Sequence, residues 1–66
     1  MLVTVNGKSV EVKEGSTLAD LLDHLQITRE FVAVELNRDI IPKAAYDTRT
    51  LASNDMIEVV QFVGGG

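Results

Sequence analysis

Valine alternates with other residues twice within the first twelve positions. Val3 and Val5 are interleaved with Leu2 and Thr4, and Val10 and Val12 with Ser9 and Glu11. Successive side chains of a strand point to opposite faces, so each run presents one apolar face. Between the runs stands Asn6-Gly7, two residues that tolerate positive φ. A two-residue primed turn needs that conformation to follow the twist of the strands it joins. The segment is therefore expected to form a hairpin, broken after its second strand by Glu14-Gly15-Ser16.

The period then changes. Leu18, Leu21, Leu22 and Leu25 recur at the spacing that lines one side of a helix, which predicts a helix from about Thr17 to Leu25. Ser16 or Thr17 supplies the cap, and Asp20 in the first turn complements the helix dipole. Alternation returns in FVAVELN, with Val32, Val34 and Leu36 on one face and Ala33 and Glu35 on the other. Residues 37–52 show no period. Pro42 forbids a continuing central strand, and Ala44 to Asp47 allow one short helical turn. Ser53-Asn54-Asp55 is a turn cluster ahead of a last strand, MIEVVQFV.

One helix with an apolar stripe has to cover one face of a sheet, so the order of elements predicts a two-layer α+β domain with a four-stranded mixed sheet. The nearly continuous apolar run of the last strand suits a central position. Placing it parallel to the first strand gives the ubiquitin-like β-grasp. The domain is expected to span 1–63 and the glycines 64–66 to form a flexible tail. The expected core is Val3, Val5, Val10, Val12, Leu18, Leu21, Leu22, Leu25, Val32, Val34, Leu36, Ile57 and Val59.

Composition narrows the chemistry. The 66 residues are 45% hydrophobic and include no cysteine, so the expected core is aliphatic, without disulfides or a thiolate metal site. A net charge of −4 with six scattered basic residues speaks against nucleic acid, whose binding is dominated by phosphate neutralisation. No run is long enough for a membrane span, and the first residues do not read as a signal peptide, so a cytoplasmic protein that is a monomer when free is expected. No catalytic or metal constellation is visible. His24 is a lone surface histidine, and Asp20 and Asp23 read as a solvated helix face. Asn37-Arg38-Asp39 reads as a turn after a strand and lacks the spacing of a calcium loop. An enzyme is not expected.

What stands out is the chain end, Val63-Gly64-Gly65-Gly66. Three readings are open: a bland terminus, an interaction tag, or a reactive terminal carboxylate carried on a thread without side chains. Extended, three glycines reach on the order of 10 Å. If Ile57 and Val59 face the helix, Met56, Glu58, Val60 and Phe62 face away. That leaves Val60 and Phe62 as an apolar docking patch leading into Val63 and Gly64.

The whole chain resembles the small sulfur carrier proteins of thiamine thiazole biosynthesis, the ThiS family. The resemblance rests on the Asn6-Gly7 hairpin, the Gly15-Ser16-Thr17-Leu18 helix entry, VAVELNRDIIPK, Tyr46 at an aromatic position, the Asn54-Asp55 turn and the Gly65-Gly66 terminus. Two departures are Gly64, one glycine beyond the diglycine, and Lys43 where arginine is common. The resemblance implies a carrier whose terminal carboxylate, on Gly66 with Gly65 beside it, is adenylated by an ATP-dependent, E1-like activating enzyme. A sulfur donor of the cysteine desulfurase type then yields a thiocarboxylate, which is delivered to thiazole synthase. The carrier itself holds no cofactor; ATP belongs to the activating enzyme. Two alternatives are a carrier like the small subunit of molybdopterin synthase and a non-reactive ubiquitin-like interaction module.

Overall fold

The computed structural model describes residues 1–62. Strands β1 (Leu2–Val5) and β2 (Lys8–Glu11) form the hairpin. At its turn Asn6 and Gly7 have φ of 50° and 83°, the pair of positive values that a type I′ turn requires. Helix α1 (Leu18–His24) follows, then β3 (Val32–Leu36), β4 (Asp39–Ile41) and β5 (Met56–Gln61). Short 3-10 turns occupy Arg29–Phe31 and Lys43–Ala45. The sheet order is β2-β1-β5-β3-β4, with β1 and β5 parallel and the other neighbours antiparallel. The last strand is central and lies beside the first, as the β-grasp expectation requires.

The sheet has five strands among the described residues, not four. The additional strand, β4, lies in the segment read as irregular. It pairs with β3 through a second two-residue turn, Asn37-Arg38, with φ of 51° and 75°. Three residues are too few to show a period, and an arginine in the second turn position hides the hairpin. Pro42 ends β4 at once.

Helix α1 starts with a reciprocal cap. Thr17 Oγ1 accepts from the Asp20 amide at 3.2 Å, and Asp20 Oδ2 accepts from the Thr17 amide at 3.0 Å. Two amides at the helix start that lack intrahelical partners are thereby satisfied. Thr17 is the cap; the Ser16 hydroxyl donates instead to the Lys13 carbonyl at 2.7 Å. Leu18, Leu21 and Leu22 are buried against Val3, Val5, Val32, Val34, Leu36, Ile57 and Val59. Val12 is buried too, while Val10 and Leu25, expected in the core, are half-buried at its margin. Ala19, Ile41, Tyr46 and Leu51 complete the core, and the last three come from the aperiodic segment.

That segment folds across the N-terminal end of α1. The Leu18 and Ala19 amides donate to the Arg49 and Tyr46 carbonyls at 3.0 and 2.9 Å, and the Leu51 amide to the Ser16 carbonyl at 2.8 Å. By taking this route it leaves the opposite face of the sheet uncovered.

Candidate functional site

The central strand carries the chain towards its end. Along β5, Ile57 and Val59 are buried under α1, while Met56, Glu58, Val60 and Phe62 are exposed on the other side. Val60 and Phe62 are 56% and 54% exposed, so the expected apolar patch is present. Phe31, 58% exposed, adds a third apolar side chain that the sequence pattern did not single out. The Phe62 amide donates to the Phe31 carbonyl at 2.7 Å, continuing the β3–β5 ladder one residue beyond β5. Beside this point Gln26, Thr28, Phe31, Val32, Gln61 and Phe62 line a notch of about 330 Å³. The other expected site residues, Val63, Gly64, Gly65 and Gly66, and the expected flexibility of the tail, lie outside the described residues.

Side-chain clamps fix the strand from both neighbours. Asn6 Nδ2 donates to the Val59 carbonyl at 3.1 Å, and Asn6 Oδ1 accepts from the Val59 amide at 2.7 Å. On the other side, Asn37 Oδ1 accepts from the Met56 amide at 2.9 Å, and Asn37 Nδ2 donates to Asp55 Oδ1 at 3.0 Å. Asp55 Oδ2 also accepts from the Ala52 amide at 2.7 Å. The sequence offered Asn6 and Asn37 as turn residues; their second task, across the sheet, depends on which strand lies beside the turn.

The loop entering Phe31 is tied down by a two-pronged ion pair. Arg29 Nη1 and Nη2 donate to Asp47 Oδ2 and Oδ1 at 2.9 and 3.0 Å. The hydrogen bond with Arg29 holds the Asp47 carboxyl below its ordinary value, and the same bond raises the Arg29 guanidinium. Tyr46, packed in the core nearby, has its phenol pushed up by burial.

Among the described residues no side chains converge as acid–base or nucleophilic machinery. His24 is exposed on α1, and Asp20 is engaged in the cap. Among the described residues no three His, Cys, Asp or Glu converge as a metal site, and no helix is long and apolar enough to cross a membrane. The arrangement presents an exposed apolar face at the last described residues of the chain.

Known proteins share both the sequence and the fold. The ThiS family model matches residues 3–66. The sulfur carrier protein ThiS of Bacillus subtilis is 42% identical over 66 residues, covering 98% of this chain and all of the relative. A thiazole synthase of Magnetococcus marinus is 39% identical over 66 residues; the match covers all of this chain and 20% of the synthase. The crystal structure of the thiamine biosynthesis protein ThiS from Geobacter metallireducens superposes with a TM-score of 0.84 at 38% identity, covering the whole of both chains. With the family model matching to the last residue and a solved relative of the same topology, the chain belongs to the ThiS family.

Proposed function

We propose that this chain is the sulfur carrier of thiamine thiazole biosynthesis and that the α-carboxylate of Gly66 is its reacting group, with Gly65 and Gly64 giving it passage into other proteins' active sites. The observation that carries the reading is the full-length match to ThiS through Gly66. The exposed Val60–Phe62 face next to the departing chain end supports it. A carboxylate is a poor acyl donor. Attack of its oxygen on the α-phosphate of ATP, with pyrophosphate leaving, gives an acyl-adenylate. A persulfide sulfur then adds to that carbonyl and AMP departs, giving an acyl disulfide. A second thiol attacks the donor's sulfur, forms a disulfide with it and releases the terminal glycine as a thiocarboxylate.

The partners in this reading are an adenylating activating enzyme, a sulfur donor of the cysteine desulfurase type and thiazole synthase. The existence of synthase chains containing a segment like this one supports the last. The carrier is a co-substrate, not a catalyst; it binds no cofactor of its own, is a monomer when free and acts in the cytoplasm. Val60 and Phe62, with Val63 and Gly64 beyond them, form the docking surface.

Incubation with ATP, the activating enzyme, a persulfide donor and a thiol reductant is expected to raise the mass of the intact chain by about 16 Da, one oxygen replaced by sulfur, located on Gly66 by fragmentation. An unchanged mass, with the activating enzyme shown to be active on another carrier, contradicts the reading.

A further inference from the structure

A ladder of side-chain pairs runs down the outer face of the sheet, away from α1. Ala33 stands opposite Val60 and Glu35 opposite Glu58, and Ile40 of β4 stands on the other side of Glu35. Met56 follows Glu58 on the same face, and Phe62 precedes Val60 in the opposite direction. Apart from the two carboxylates the exposed members are apolar: Met56, Val60, Phe62, and Ile40, which is 77% exposed.

Two glutamates directly opposite each other in an antiparallel pair have Cα atoms only about 5.5 Å apart where the strands exchange hydrogen bonds, and like charges there disfavour the fold. No lysine or arginine of the described residues forms an ion pair with either. The ion pairs among the described residues are the N-terminal amine with Glu11 and Arg29 with Asp47. A metal ion is no better an occupant, since no third ligand joins the two carboxylates among the described residues. A second copy of the chain meeting this face through the same surface would bring two more carboxylates against these.

We propose that the Glu35–Glu58 pair is a socket for an arginine presented by the ATP-dependent activating enzyme, with Ile40, Met56 and Val60 as its apolar walls. The proposal rests on the carrier reading and adds a specific chemical requirement to the partner. Docking on this face removes water from both carboxylates, and a desolvated charge without a partner is costly. A guanidinium has five donors in a planar fork and can bridge two carboxylates at once, which an ammonium does less well. Glu58 lies four residues before Phe62, about 13 Å along a strand. A pair held at that distance from the departing chain end fixes the rotation of the carrier on its partner, and so the direction in which the end points.

The test is to measure affinity for the activating enzyme and thermal stability for Glu35→Gln, Glu58→Gln and Glu58→Lys. Both glutamine variants should be more stable than the parent chain and bind at least about tenfold more weakly. Glu58→Lys forms its own cross-strand pair with Glu35 and should be the most stable chain and the weakest binder. Glu14→Gln, off this face, should bind within about twofold of the parent, which separates a local socket from general attraction. Opposite movement of stability and affinity is the signature that a merely structural role does not produce. Unchanged affinity in both glutamine variants overturns the socket, even where the parent chain gains its sulfur. Weakened binding supports the socket, and the separate mass measurement decides whether the carrier chemistry also stands.

Discussion

The side-chain amide of Asn6 occupies both backbone hydrogen-bonding groups of Val59, accepting at 2.7 Å and donating at 3.1 Å. In the parallel pairing of β1 and β5, the Thr4 and Asn6 amides donate to the Asp55 and Ile57 carbonyls. The chain of β1 then turns away, and the Asn6 side chain acts as one more residue of that strand. An asparagine therefore does two things here: it accepts a φ of 50° in the turn and continues the ladder that steadies β5. Asn6→Gly keeps the turn and removes the ladder, so it isolates the second role. A loss of about 1–2 kcal/mol in urea unfolding is expected, together with faster hydrogen exchange at the Val59 amide. Unchanged exchange there contradicts the assignment.

Arg38 stands at φ 75° in the β3–β4 turn, a conformation that costs an L-residue roughly 1–2 kcal/mol and glycine nothing in steric terms. Glycine loses more conformational freedom on folding, which offsets part of the gain. Arg38→Gly is expected to stabilise the domain by about 0.5–1 kcal/mol, a rise in Tm of about 2–8 °C for a domain of this size. A lower Tm would show that the arginine side chain makes a compensating interaction.

The Arg29–Asp47 pair predicts a pH dependence with a definite sign. The Asp47 carboxyl is depressed in the folded chain, so the unfolded chain binds its proton more readily. The pair's contribution is fully present above the ordinary aspartate value of about 3.9 and is lost as pH falls through the lower folded value. Asp47→Asn should be less stable than the parent chain at neutral pH, and the difference should shrink on acidification and in high salt, because the pair is exposed. A difference that stays constant down to about pH 2 would place its origin elsewhere.

These cases also show what was legible in the chain. The hairpin and the leucine stripe of α1 followed from periodicity, because each element has one face in the core. The central place of β5 followed from its nearly continuous apolar run, and its parallel pairing with β1 from the β-grasp arrangement. The core contribution of Ile41, Tyr46 and Leu51 did not. Their positions are set by a segment that crosses the end of α1 without a repeat of its own, and Tyr46 is 1% exposed only because that crossing brings it inward. Val10 and Leu25 erred in the opposite direction: each continues an apolar period to the margin of the sheet or helix, where cover is incomplete. For the candidate site, alternation placed Val60 and Phe62 outward correctly, whereas the Asn6 and Asn37 clamps needed the strand order before their side chains had an address.

Phe62 tests the docking surface with little risk to the fold. It is more than half exposed and bonds to β3 through its backbone amide, so Phe62→Asp keeps the ladder and removes the apolar contact. Binding to the activating enzyme is expected to weaken by about tenfold or more, an exposed aromatic being the kind of side chain that anchors an interface, with Tm within a few degrees of the parent. Equal affinity would remove Phe62 from the surface.

The chain end is the strongest test of the function. The proposed chemistry needs a free α-carboxylate that reaches ATP inside another protein, and glycine offers the least hindered approach. The sequence ends in three glycines, so deleting Gly66 still leaves a Gly-Gly end. That variant should be adenylated, at a reduced rate set by reach, since each extended residue contributes about 3.3–3.6 Å. Deleting Gly65 and Gly66 together, or appending residues after Gly66, should abolish adenylation. None of the three changes touches the core, whose members lie between Val3 and Val59, so Tm should stay nearly constant in all of them. Pyrophosphate release measured with saturating ATP separates these outcomes. A chain with a blocked C-terminus that still supported thiazole formation would remove Gly66 from the mechanism.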